Sequence, residues 1–319
     1  MSHKGNGHLI SIAMATYNGE KYLTEQLDSI YAQTYKNIEV IVCDDCSSDK
    51  TVEILEDYSK KFGLKYFVNE NNLGFVKNFE KAVNLCRGDY IALSDQDDIW
   101  LPHKLSTLME NIGDNILTCS DLTLINESGH IIEESFFEST NRSKNEKFTF
   151  YKLMFRNYIW GCTILMKKDL LKKAHPIPIN AESHDQWYGL VASTAGSIYL
   201  CKWPLVLYRQ HDKNQFGAKK FFKISILKKF FLSMNKEHYK KRIYEGQQKA
   251  KVLKSYKESN IFSESENQLL EDLILFYQSW GSGFIHFKAF FMALKYKDDM
   301  YYNVPKYLRI FACLRSLFI

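Results

Sequence analysis

Asp95, Gln96, Asp97 and Asp98 follow directly on the apolar run Tyr90-Ile91-Ala92-Leu93-Ser94, so three carboxylates sit where a buried strand would leave its sheet. Carboxylates packed this closely repel one another, and a cation relieves the repulsion. Ligands of open α/β sheets bind outside the carboxyl ends of strands, and a hard divalent ion carrying a diphosphate would pair with such a cluster. The cluster points to a nucleotide-sugar site; a strand followed by a solvated acidic turn is the plainer alternative. Ala15, Thr16, Tyr17, Asn18, Gly19 and Glu20 occupy another strand-to-helix turn, where backbone amides can meet phosphate or ribose. Asp44 and Asp45 end a third apolar run, where a carboxylate could accept the N3–H of a uracil or thymine ring or else cap the next helix. No G-x-G-x-x-G and no G-x-x-x-x-G-K-[ST] occurs, which disfavours a dinucleotide dehydrogenase and a P-loop enzyme.

The elements that would position these residues alternate. Residues 9–15 read as a buried strand, and 20–33 carry Leu23, Leu27, Ile30 and Tyr31 at helical spacing. Strands are expected at 38–43, 64–68 and 90–94, with helices between them led by Val52, Ile54, Leu55 and Tyr58 and by residues 75–86. Such alternation implies an α/β fold, a mostly parallel sheet with helices on both faces. Pro102 is expected to open a further helix at the sheet edge. Strands at 116–120 and 161–166, a turn at 126–129, a helix over 183–195 and short strands at 197–201 and 205–209 follow.

With 45% hydrophobic residues in 319, the chain can bury a full core, as one large domain with an appendage or as two domains. The net charge of +5 hides an asymmetry: residues 1–218 carry 23 Lys and Arg against 28 Asp and Glu, and residues 219–319 carry 19 against 9. In the basic tail Phe221, Phe222, Ile224, Ile226, Leu227, Phe230, Phe231 and Leu232 alternate with Lys219, Lys220, Lys223, Lys228 and Lys229. This amphipathic pattern suits packing on the body or a second subunit as well as an anionic membrane surface. Seven scattered cysteines do not form the framework of a disulfide-rich domain, and the Cys43-x-x-Cys46 spacing lacks the partners of a zinc site. The first eight residues lack the order of a signal peptide, and the longest apolar stretches are broken by His286 and Lys288 or by Arg309 and Arg315. A cytoplasmic protein, able to rest on the inner face of the cell membrane, is expected.

Read together, four segments resemble the family 2 glycosyltransferases. They are Ser11-Ile12-Ala13-Met14-Ala15-Thr16-Tyr17-Asn18, Val42-Cys43-Asp44-Asp45-Cys46-Ser47-Ser48-Asp49-Lys50-Thr51, Asn72-Leu73-Gly74, and the run from Ser94 to Leu105 containing Asp97-Asp98-Ile99-Trp100-Leu101-Pro102-His103-Lys104. Their occurrence in order over the first two-thirds of the chain is more specific than any one motif. With His184-Asp185-Gln186-Trp187 and the run Tyr208 to Asn214, the likeness extends to bacterial rhamnosyltransferases of cell-wall and O-antigen polysaccharide assembly.

The resemblance implies a GT-A fold: an α/β catalytic domain over residues 1–217, with a nucleotide-sugar half at about 1–110 and an acceptor half at 111–217, and a helical C-terminal region over 218–319. It implies that Ala15, Tyr17 and Asp45 lie at the base and ribose with Asp44 adjacent, alongside Thr16, Asn18, Glu20, Asn72 and Gly74, and that Asp95 and Gln96 face ribose and phosphate. Asp97 becomes the expected ligand of Mg²⁺ or Mn²⁺, and His211 approaches the diphosphate or the metal, although a loop histidine alone is more often structural. Asp185 matches the general base that removes the acceptor hydroxyl proton during inversion. Here His184 stands where many relatives carry an acidic residue, so how the base is oriented is open. Trp160 and Trp187 could line a sugar cleft or pack in the core, and Arg209 could pair with phosphate or with a structural carboxylate.

The reading that follows is metal-dependent, inverting transfer of L-rhamnose from dTDP-L-rhamnose to a lipid-linked saccharide, with a UDP-hexose donor as the near alternative and a homodimer through the tail helices as one use of the tail. A nucleic-acid-binding protein working through its basic tail is the rival from another class; no RNP, KH or zinc-finger signature supports it.

Overall fold

A computed structural model describes residues 7–140, 147–157, 159–212, 214, 236–279 and 287–300, together with 306, 309 and 313. The chain divides into two compact units: Met1–Phe148, Asn157–Ile177 and Ser183–Ala218 form one, and Thr149–Arg156, Pro178–Glu182 and Lys219–Ile319 the other. Gly217 and the basic aromatic run at 219–232 lie outside the described residues.

The first unit is a nine-stranded sheet whose order departs from sequence order. Its strands are β1 (Ile10–Thr16), β2 (Ile38–Asp44), β3 (Lys65–Val68), β4 (Tyr90–Ser94), β5 (Ile99–Trp100), β6 (Leu117–Ile125), β7 (Ile131–Glu133), β8 (Ile164–Lys167) and β9 (Ile198–Arg209). They run β3-β2-β1-β4-β8-β6-β9-β5, with β7 paired to β6. β1 lies between β2 and β4 and is parallel to both. A strand covered on both faces reads as a continuous apolar run, and Ile10, Ile12, Ala13 and Met14 are accordingly sealed from solvent.

Helices α1 (Leu23–Tyr31), α2 (Thr51–Phe62) and α3 (Phe75–Leu85) provide the crossovers among β1 to β4. α1 buries Leu23, Leu27 and Ile30 at helical spacing, and α2 stops at Gly63, whose φ of 74° lies in the left-handed region open to glycine. Because β1 has β2 on one side and β4 on the other, the chain reverses its order of addition there. The turns after β1, β2 and β4 therefore share one end of the sheet, the place where such folds bind ligands.

The sheet does not end at Pro102. β4 continues into β8 through antiparallel pairs such as Ala92↔Leu165, then into β6 and β9, which makes it mixed, with its parallel part around β1. Helix α4 (Lys104–Ile112) begins two residues after Pro102, whose carbonyl instead accepts the Thr34 N–H at 2.8 Å. The two short strands expected near 197–209 are one strand, β9. Its register against β6 slips where Asp121 meets Pro204, a residue with no N–H to give the ladder. α5 (Phe136–Ser139), α7 (Leu171–Ala174) and α8 (His184–Ala195) complete the unit.

In the second unit α6 (Phe150–Phe155) and helices Lys236–Glu258, Glu264–Gln278, Phe287–Lys295 and Lys297–Met300 are described. Ser263 and Glu266 form a reciprocal capping box at the start of the second of these long helices. Leu253, Tyr256, Phe262, Leu269, Leu270 and Leu273 are buried, and Phe150 packs on Phe262 with ring centroids 4.8 Å apart. Among the described residues, no helix is long and apolar enough to cross a membrane.

Candidate active site

The turns after β1 and β2 are laced together. Asn18 accepts the Ser48 N–H at 2.9 Å and donates its own to Ser47 Oγ at 2.9 Å, while the Gly19 N–H reaches Thr51 Oγ1 at 2.8 Å. The Glu20 N–H meets Asp49 Oδ2 at 3.1 Å, and Glu20 Oε2 accepts the Lys50 N–H at 3.1 Å. Asn18 adopts a φ of 48°, a backbone conformation asparagine tolerates better than most residues. Ala15 lies on β1, and the Tyr17 ring beyond it is 51% exposed, open to a planar ligand.

Asp44 and Asp45 are both buried, and their carboxylates serve the protein itself. Asp44 accepts from Thr16 Oγ1 at 2.7 Å, Ser47 Oγ at 2.6 Å and the Ser47 N–H at 2.8 Å. Asp45 accepts from Asn69 Nδ2 and from the Leu73 N–H at 2.8 Å and the Gly74 N–H at 2.9 Å. Asn72 joins that loop by donating to the Asp45 carbonyl at 3.3 Å, so Asp45 fixes the 72–74 segment at the mouth of α3.

The acidic loop after β4 is tied to the first turn by Gln96, whose amide pairs with both backbone groups of Tyr17, at 2.9 and 3.1 Å. Gln96 occupies the space over Gly19: a Cβ there would lie 2.2 Å from Gln96 Oε1, which is the physical reason for a glycine. Asp97 Oδ2 lies 2.8 Å from His211 Nε2, with their side chains 14% and 10% exposed, and the His211 ring stacks on Tyr22 at 5.3 Å. Both predicted metal-facing residues are thus brought together, across 114 positions of sequence.

Arg209 settles beneath them. Its guanidinium donates to the carbonyls of Asp97 and Glu127 at 3.0 Å, pairs with Glu25 at 2.5 Å and lies over the Tyr22 ring. Of the two uses foreseen for Arg209, the structural carboxylate is the one observed. Beneath the loop Asp98 is sealed from solvent. Burial, reinforced by Asp97 and Asp95, pushes its carboxyl well above the usual range. Asp95, Asp98 and Cys162 form the one three-residue set among the described residues whose ligand atoms lie within 4.8 Å of one another. Buried Lys104 lies beside this set, donating to the Cys162 carbonyl at 2.6 Å over the face of Trp100, and burial pulls its ammonium well below its ordinary value.

Asp185 sits in the first turn of α8, whose N-cap is Ser183, where the helix dipole favours a negative charge. Its Oδ1 accepts from Asn157 Nδ2 at 3.1 Å, from Ser183 Oγ and from the Gln186 N–H at 2.6 Å, and its Oδ2 accepts the Gly161 N–H at 3.1 Å. Burial and the charges of Asp97 and Asp185 drive the Asp95 carboxyl upward, so Asp185 stands within electrostatic reach of the acidic loop. His184 turns away and stacks on Phe79 of α3 with centroids 3.9 Å apart. Burial lowers its pKa to about 4, leaving a neutral ring. Trp187 is core, its indole N–H spent on the Ala174 carbonyl at 2.7 Å. Trp160, half-buried, packs on Phe136 and Tyr208.

Asn157, Gly161, Gly19 and Lys104 lie outside the site residues expected from sequence. For Asn157 and Gly161 no signal marks them there, because they precede a four-residue strand inside an aromatic stretch and only tertiary contact gives them a purpose.

A sheet with this order, and an acidic loop at its switch point, defines a GT-A fold. Glycosyl transferase family 2, as a family model, matches residues 11–174, and the chain belongs to that family. It is 32% identical over 227 residues to the dTDP-rhamnosyl transferase RfbG of Shigella flexneri, an alignment covering 66% of this chain and 75% of that one. It is 36% identical over 197 residues to an uncharacterised glycosyltransferase of Methanocaldococcus jannaschii, covering 58% of this chain and 65% of the other, just under two thirds. Among solved structures, S. aureus TarS 1-349 in complex with UDP-GlcNAc superposes with a TM-score of 0.59 at 18% identity, covering 98% of this chain and 89% of that one.

Proposed function

We propose that this glycosyltransferase moves L-rhamnose from dTDP-L-rhamnose onto a lipid-linked saccharide acceptor in cell-surface polysaccharide synthesis, with inversion and with Asp185 as general base. The observation that carries this reading is the placement of the Asp185 carboxylate, presented at a helix start within the field of the acidic loop after β4. The acceptor oxygen attacks the anomeric carbon as the bond from that carbon to the diphosphate oxygen breaks. The hydroxyl proton passes to Asp185, and the nucleoside diphosphate leaves with the bonding electron pair. Tyr17, exposed at the end of β1, would stack on the base, and the amide-rich turns after β1 and β2 would receive ribose and phosphate.

Asp97 and His211 would hold Mg²⁺ or Mn²⁺. A carboxylate and an imidazole on one side of an ion leave its remaining positions to phosphate oxygens, so the pair fits a cation that arrives with a diphosphate. When bound, such an ion supplies charge neutralisation for the leaving group. In the set of Asp95, Asp98 and Cys162, burial itself favours the uncharged forms, so this set is not the proposed cation site.

Residues 1–110 would serve the donor and 111–217 the acceptor, with 218–319 resting on the inner face of the cell membrane or against a second copy. The RfbG likeness favours a dTDP donor. A UDP-hexose donor is the second reading, supported by TarS structures that hold UDP-GlcNAc and UDP. Product analysis after incubation with dTDP-L-rhamnose, UDP-glucose and UDP-GlcNAc separates them. Asp185→Asn should abolish transfer while donor binding persists, and Asp97→Ala should remove thermal stabilisation by dTDP with Mn²⁺; loss of donor binding in Asp185→Asn would take the base role from that residue.

A further inference from the structure

The four hydrogen bonds on Asp185 divide its two oxygens. Oδ1 accepts three donors, from Asn157 Nδ2, Ser183 Oγ and the Gln186 N–H, which leaves it no lone pair to offer. Oδ2 accepts only the Gly161 N–H among the described residues, at 3.1 Å, and so keeps one lone pair. Two of these contacts, Ser183 and the Gln186 amide, belong to the helix start itself and would form at many helices with an acid in the first turn. The other two come from the separate segment before β8, and only they set where the carboxylate stands relative to the acidic loop.

Asn157 is itself oriented: its Oδ1 accepts the Ile159 N–H at 3.1 Å, which commits the amide nitrogen to Asp185. Gly161 has its own constraint, since a Cβ there would meet His184 Nε2 at 2.9 Å. Among the described residues, Asp95 from the loop after β4 and the neutral ring of His184 beside it are within electrostatic reach of Asp185. Neither donates to it, so the four hydrogen bonds hold the carboxylate against the repulsion from Asp95, and of their donors only the Asn157 amide and the Gly161 N–H lie outside the helix start.

Accepting Asp185 as the base, we infer that Asn157 is a positioning residue for the transfer step. It anchors Oδ1, so that Oδ2 alone faces the acceptor hydroxyl and takes its proton. The donor-binding turns have no part in this contact, so its loss is felt in turnover rather than in donor affinity.

The test compares Asn157→Ser, Asn157→Ala and Asn157→Asp in steady-state transfer by the full chain, varying donor and acceptor. Asn157→Ala lowers kcat about 10- to 100-fold, the worth of one hydrogen bond to a charged group, with donor KM changed less than about two-fold. Asn157→Ser, which keeps a shorter donor, recovers part of the loss. Asn157→Asp retains the shape and the bond to Ile159 but turns an acceptor toward Asp185, so it falls below Asn157→Ala. A purely structural role predicts the opposite order, with the isosteric Asn157→Asp the mildest of the three. That order, a flat series, or a rise in donor KM at constant kcat overturns the inference. If Asp185→Asn keeps full activity, the base assignment itself fails; if it is inactive while the Asn157 series is flat, only the positioning role does.

Discussion

His184 provides a sharp test of how this site is built, because it is a titratable group that the fold holds in the wrong state for acid. The ring is 5% exposed, is stacked on Phe79 and has no hydrogen-bond partner on either nitrogen among the described residues. Burial lowers its pKa from 6.5 to about 4, against a weaker opposing pull from Asp185. The unfolded chain therefore binds a proton on His184 at a pH where the folded chain refuses it. Stability from this residue is whole above pH 6.5 and is lost as pH falls toward 4. With ~1.4 kcal/mol per unit, the loss is about 2 kcal/mol by pH 5 and about 3 kcal/mol over the whole window. Urea unfolding of the native protein and of His184→Gln at pH 7.5, 6, 5 and 4 isolates it, because carboxylates titrate alike in both. The native protein should lose about 2 kcal/mol more than the variant between pH 7.5 and 5. Parallel stability curves for the two would show that His184 is hydrated or paired, and would refute the argument.

Gly19→Ala should keep the fold, because the obstructing atom is the end of the flexible Gln96 side chain, yet break its two bonds to Tyr17; donor affinity should drop about 10-fold, and unchanged affinity would show that this clamp is idle. Arg209→Met removes three side-chain hydrogen bonds from beneath Asp97, with a cost of about 3 kcal/mol in urea unfolding, at the low end for a buried pair because Glu25 is 54% exposed; a cost under about 1 kcal/mol would count against it. Thiol titration of the native protein should find Cys46 reacting fast and the six buried cysteines only after unfolding, and a protected Cys46 would reopen the metal reading of the Cys43–Cys46 pair.

The half of the sheet that repeats strand and helix was legible because burial on both faces writes itself as apolar runs, and residues 10–94 follow the expected elements closely. What was hidden depended on partners far away in sequence. β5 is two residues long and exists only through its pairing with Leu207 and Val206 of β9. The unity of β9 was masked by Pro204, which reads locally as a break. At the site, the residue types were visible but not their protein partners: Asp44 and Asp45 accept from the protein's own amides and hydroxyls, and Asp185 is held by an asparagine that no motif marks. The departure at His184 leaves the orientation of the neighbouring acid open in sequence, and the structure answers it with a ring that belongs to α3's packing.

If the first two turns receive the nucleotide as proposed, their lacing has a consequence for altering nucleotide choice. Asn18, Gly19 and Glu20 find their partners in Ser47, Ser48, Asp49, Lys50 and Thr51, so grafting either loop alone from another enzyme would strand polar groups of the other. The two loops form one hydrogen-bonded unit. Exchanges of donor preference should therefore succeed when both loops move together, and substitutions that accumulate in one should be answered in the other.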